Sequence, residues 1–222
     1  MPLAEALTHF TDSVGRAGPA TWEMGEYPAG EDDHPVNGIS WFEAAAYAAW
    51  SRKSLPTIHH WIHVAETPTG SQIAPLANFS GRGSVPVGST RSMNRFGIRD
   101  LAGNVREWVW NRVNREGQRT ILGGGWNDQE YAFIDVYAQD AFDRSPSNGF
   151  RCIKEIAPGP ERLREAIDLP FRDFMSEQPV SDEVFGYFLR QFHYDKRPLG
   201  AQVIAEVDSP YEIGRASCRE RV

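Results

Sequence analysis

Only two cysteines occur among the 222 residues, which excludes multi-cysteine metal clusters and a disulfide framework. No apolar run reaches the ~18 residues that a membrane-spanning helix needs. A basic excess is also missing: the net charge is −7, so a phosphate backbone is an unfavourable partner and nucleic acid is not expected. "MPLAEALTHF" lacks the basic flank and apolar stretch of a signal peptide. With so few thiols, this makes a reducing, cytoplasmic setting the expectation. Walker loops, GxSxG elbows and Ser/His/Asp orderings are absent as well.

The last eleven residues, "EIGRASCRERV", have no apolar periodicity and read as the in-frame translation of a sequencing-library adaptor. Residues 212–222 are therefore set aside as an artefact. They carry three arginines and two glutamates, so without them the charge is −8 and Cys152 stands alone.

Aromatics make up 12% of the chain and hydrophobic residues 41%, which fits a folded domain with a sizeable core. "LAEALTHF" predicts a short helix with Leu3, Ala6, Leu7 and Phe10 on one face. "SWFEAAAYAAW" opens with a capping box, Ser40 and Glu43, and carries Trp41, Tyr47 and Trp50 as bulk. Thr57 caps a further helix, "IHHWIHVAE". Residues 67–90, rich in Gly, Pro and Ser, predict a long loop. "EWVW", "RTILGG" and "GFRCI" predict strands. "GPERLREAIDLPFRDFM" predicts an amphipathic helix broken near Pro170. Ser181 caps "DEVFGYFLRQF", with a stripe of Val184, Phe185, Phe188, Leu189 and Phe192. "AQVIAEV" alternates like a strand that begins a further domain.

The loop "FGIRDLAGNVREW", residues 96–108, holds an aspartate, a glycine, an asparagine and a glutamate, then a tryptophan. Two readings fit. One is a locked backbone turn with Asn104 bonding main chain and Trp108 buried. The other is a hard cation held by oxygens, since calcium takes about six to eight of them.

"HPVNGISWFEAAAYAAW", "LPTIHHW", "FGIRDLAGNVREW", "LGGGW" and "NGFRC" resemble, in this order, the motifs of formylglycine-generating enzyme (sulfatase-modifying factor) domains. The resemblance implies an irregular α+β, C-type-lectin-like fold over residues 1–157, truncated at its N-terminus. A helical connector and the start of a further domain would follow over 158–211. "GPATWEMGEYPAGEDDHPV" and "DAFDRSPSNGFRC" resemble the subgroup fused to Ser/Thr kinases and α/β-hydrolase-like regions, which makes those domains the implied partners in the native chain. It also implies a structural Ca2+ held by the Asp100 side chain, the Gly103 and Val105 carbonyls and Glu107. Asn78 and Phe79 match half of a second calcium site, whose acidic loop is missing.

Family enzymes oxidise a substrate cysteine using copper(I) on two thiolates, the ligand type that soft ion prefers. The aligned positions here are Asp128 and Phe133, so copper and the family oxidase activity are not expected. Trp126, Asn127, Asp128 and Arg144 fall where the family binds its substrate peptide, and their chemistry suits a peptide or small polar ligand. Cys152 reads as a small buried residue, and Arg151 as a structural ion-pair or hydrogen-bond donor. His59 and His63 share a helix face at a metal-binding spacing but lack an intervening glutamate. The reading that follows is a non-catalytic ligand- or protein-binding module of a kinase-linked signalling protein. Its rivals are a formylglycine-generating-type oxidase or other enzyme of this fold with altered active-site chemistry, centred on Asp128, and a purely structural connector.

Overall fold

The computed structural model describes residues 3–65, 70–169 and 178–192. Two compact units divide at Pro170. In the first, α1 (Leu3–His9), α2 (Trp41–Trp50), α3 (Ile58–Ala65) and the single turn α4 (Gly70–Ile73) precede all the strands. β1 (Arg106–Arg112), β2 (Gln118–Leu122), β3 (Tyr137–Asp140) and β4 (Asn148–Phe150) then form one sheet in the order β3-β2-β1-β4. β1 pairs antiparallel with β2 and parallel with β4, and β2 pairs antiparallel with β3. The second unit contributes α5 (Asp182–Phe192). This is a mixed α+β architecture in which loops outweigh regular elements.

Strand β1 is the divider of the core, because successive side chains point to opposite faces of a sheet. Val109 joins a cluster with Trp61 and Ala65 of α3, Leu101, Leu122 and Phe133. Trp108 joins the other, with Trp41, Ala44 and Ala48 of α2, Leu55 and Ile121. Trp41 and Trp108 find acceptors inside the core: the Trp108 indole donates to the Ile39 carbonyl at 2.9 Å and that of Trp41 to the Val109 carbonyl at 2.8 Å. Those bonds meet the polar handle that a buried indole carries.

The capping box of α2 forms as the sequence predicts. The Glu43 amide donates to the Ser40 hydroxyl at 3.2 Å, and the Ser40 amide donates back to the Glu43 carboxylate at 2.7 Å. Thr57 caps α3 through a bond from the His60 amide.

Several expectations are corrected. Tyr47 and Trp50 are exposed, Trp50 to 79%, because α2 buries only its Trp41–Ala44–Ala48 face. Leu7 is exposed too. The described part of the 67–90 segment is not wholly loop, since it begins with α4 and a 3₁₀ turn at Ala74–Leu76. The helix expected from Gly159 reduces to a 3₁₀ turn, Glu161–Arg164. The chain then runs extended, held as the Ile167 amide donates to the Arg112 carbonyl and the Asn111 amide group to the Leu163 and Glu165 carbonyls. β3 was not anticipated: "YAQD" shows no apolar alternation, and its place in the sheet comes from pairing with β2. In α5 the Ser181 hydroxyl accepts from the Val184 amide, and Val184, Phe185, Phe188 and Leu189 are exposed. The "AQVIAEV" stretch, residues 212–222 and half of the expected connector lie outside the described residues.

Candidate functional site

The 96–108 loop is built on backbone that ordinary residues avoid. Asp100, Gly103 and Asn104 have φ of 56°, 70° and 64°. At Gly103 the reason is contact as well as conformation, since a Cβ would sit 2.5 Å from the Asn78 carbonyl oxygen. Asn104 is buried and pins the neighbouring loop. Its carboxamide oxygen accepts from the Val85 amide at 2.8 Å and from Asn78 at 3.2 Å, while its nitrogen donates to the Val85 carbonyl. Asn78, which matches half of a second calcium site, serves this amide network.

The two acids of the loop are also engaged. Asp100 accepts from the Gly88 amide at 2.5 Å and the Thr90 hydroxyl at 2.9 Å. Glu107 is 3% exposed and accepts from the Trp61 indole at 2.7 Å. It also takes both arms of the Arg151 guanidinium, at 2.6 and 2.5 Å. The topology makes that pair: Glu107 faces Gly149 across the parallel β1/β4 register, and two residues further on places Arg151 on the same face. Arg151 also donates to the Arg99 and Asp100 carbonyls. Burial opposes its charge, but Glu107 outweighs that and raises its pKa.

The resemblance assigned calcium to Asp100, Gly103, Val105 and Glu107. In this arrangement the residues do not fit the ion. Both carboxylates are committed to amide, hydroxyl, indole and guanidinium donors, and the cation beside Glu107 is Arg151.

The second predicted cluster separates into two. Asp128 receives a bidentate guanidinium from Arg106, at 2.7 and 2.5 Å, and the Gly125 amide at 2.7 Å. Burial pushes its carboxyl pKa up, but the Arg106 hydrogen bonds, the Gly125 amide and the Arg106 charge together hold it below the usual carboxylate value. Arg106 is raised in turn, chiefly by its hydrogen bond to Asp128, and lies 5.0 Å from the Tyr137 ring centre. The Trp126 and Asp128 carbonyls accept from the Gly81 and Ser80 amides, so the Trp126–Asn127–Asp128 stretch is fixed to the 78–81 loop. Asn127 is exposed and Trp126 half-buried.

Arg144 is spent elsewhere. It donates to both Glu43 oxygens at 2.9 and 2.8 Å, and to the His9, Thr11 and Gly18 carbonyls. All five N–H groups of a guanidinium are thereby used. Arg144 ties the N-terminal segment to α2 and is corrected from ligand contact to structural clamp.

Phe133, at the second thiolate position, is 1% exposed and packs 6.0 Å from Trp61, ring centre to ring centre. Cys152 is half-buried against the Trp108 cluster, and burial pushes its thiol pKa up. His59 and His63 are exposed, and among the described residues no group of three or more His, Cys, Asp or Glu converges on a metal position.

Sequence reasoning missed Arg106 and Tyr137. Arg106 lies inside the quoted motif, but its partner is 22 residues away, so nothing local marks it.

The sequence profile of the sulfatase-modifying factor enzyme 1-like domain matches residues 5–156. Inactive C-alpha-formylglycine-generating enzyme 2 of Mus musculus is 29% identical over 159 residues, 58% of this chain and 52% of the mouse protein. The chain thus spans about half the length of this curated relative. Serine/threonine-protein kinase pkn1 of Chlamydia caviae is 39% identical over 83 residues, 34% of this chain and 13% of the kinase. The crystal structure of CarF superposes with a TM-score of 0.48 at 22% identity, covering 67% of this chain and 78% of that one. With the profile matched across well over half its length, the chain belongs to the sulfatase-modifying factor (formylglycine-generating enzyme) family.

Proposed function

We propose that this domain is a non-catalytic ligand- or protein-binding module of a kinase-linked signalling protein, working in the cytoplasm. The observation that carries the reading is the chemistry at the two positions aligned with the family's thiolates. Asp128 is a hard carboxylate latched by Arg106 and Gly125, and Phe133 is a buried ring. Neither is a soft donor for copper(I). An enzyme with altered chemistry at Asp128 is less well supported, because a carboxylate whose pKa is held low and whose oxygens are occupied is a weak general base. The binding surface is the fixed Trp126–Asn127–Asp128 stretch with Arg106 and Tyr137 beside it. Similarity to a kinase supports the placement in a signalling chain, and similarity to a relative named as inactive supports the non-catalytic reading.

The test is to incubate the chain with copper, oxygen and a peptide of the Cys-x-Pro-x-Arg type, and to follow the cysteine by mass spectrometry. No aldehyde should form. Conversion to the aldehyde would overturn the proposal.

A further inference from the structure

The end of the β1–β2 hairpin walls a groove of about 610 Å³, within the usual range for small-ligand sites. Phe42, Val113, Ala141 and Ala166 give it an apolar side, and Arg112, Arg115 and Arg119 line it together with Glu116. Arg112 and Arg119 are direct partners in the antiparallel ladder. Like charges facing each other across a strand pair repel and destabilise it.

Arg119 is not placed to swing away. Its guanidinium lies 3.7 Å from the Trp41 ring centre and donates one N–H to the Trp110 carbonyl at 3.0 Å. Burial lowers its pKa and the Arg112 charge lowers it further. Among the described residues, neither Arg112 nor Arg119 belongs to an ion pair. In a chain of net charge −7, such a concentration of cations beside an apolar wall is the opposite of the average surface.

We infer that this groove binds a small organic oxyanion, its carboxylate or phosphate between Arg112 and Arg119 and its apolar body against Phe42 and Ala141. The anion relieves the cross-strand repulsion, and a guanidinium fork matches the geometry of either oxyanion. This site is independent of the Trp126–Asp128 surface and does not rest on the function proposed there.

The experiment is a titration of the full 222-residue chain with benzoate and, separately, phenyl phosphate, at ionic strength held constant with chloride. Chemical shifts of the Trp41 indole and the Gly117 and Arg119 amides report on the groove. Saturable shifts with either probe support the site, and the probe that binds more tightly identifies the oxyanion. Arg112→Glu should weaken binding roughly tenfold or more, the loss of one charge-assisted contact. The same variant should raise the melting temperature of the ligand-free protein, because the repelling pair becomes an attracting one. Arg112→Gln gives the binding readout if the glutamate variant folds poorly, and Glu116→Gln should tighten binding by removing a competing charge. No shift beyond the chloride control with either probe, or unaltered binding by both Arg112 variants, would overturn the inference.

Discussion

Replacing Arg151 with leucine tests what holds the 96–108 loop. Glu107 sits at the centre of the sheet, 3% exposed, and Arg151 supplies two of its three hydrogen bonds and all of its compensating charge. Removing one partner of a buried pair leaves an uncompensated charge, which costs about 3–5 kcal/mol. Arg151 keeps some solvent contact, with a side-chain exposure of 28%, so the lower end, about 3 kcal/mol, is expected. For a chain of this length that corresponds to a fall in Tm of roughly 6–12 °C. The assay is thermal melting followed by near-ultraviolet circular dichroism, with calcium and with chelator. Glu107→Gln in the Arg151→Leu background should recover part of the loss, because the orphaned charge is gone. Chelator should leave the wild-type curve unchanged. A loss for Arg151→Leu below about 1 kcal/mol, the scale of an exposed ion pair, with chelator lowering the wild-type Tm, would refute this reasoning. The ion would then hold the loop.

Two further outcomes follow from the clamps. Asp128 has a lowered pKa in the fold, so its stabilisation is fully present above the unfolded value, about 3.9, and is lost as pH falls through the folded one. Asp128→Asn should therefore cost stability at neutral pH and flatten the acid limb of the stability profile below about pH 4; acid melts identical to wild type would contradict the latch. Arg144→Ala removes the five bonds that join residues 9–18 to Glu43. It should cost at least about 1.5–3 kcal/mol, the range for a single hydrogen bond to a charged group, and expose the segment before Gly18 to limited proteolysis while the Trp108 core stays protected. Wild-type digestion would sink that assignment.

The local devices were legible in the sequence because their partners are near in the chain. Ser40 and Glu43 form the capping box at the spacing that a first helical turn requires. The run of aromatic and β-branched residues in "EWVW" pointed to the central strand, and the glycine and asparagine of the 96–108 loop marked a turn. β3 was not legible, since "YAQD" becomes a strand only because β2 offers a free edge. Nor was the loss of the helix after Gly159, whose backbone bonds go instead to Arg112 and Asn111.

The sequence alone determined the family, through motifs in fixed order, and the resemblance aligned Asp128 and Phe133 with the thiolate positions. Tertiary structure decided what each charged residue does. Glu107 meets Arg151 because β4 runs parallel to β1, Asp128 meets Arg106 across 22 residues, and Arg144 is consumed by carbonyls more than a hundred positions away. A side chain's role depends on the charge beside it in space, and only the pairing of strands and the closure of loops brings those charges together.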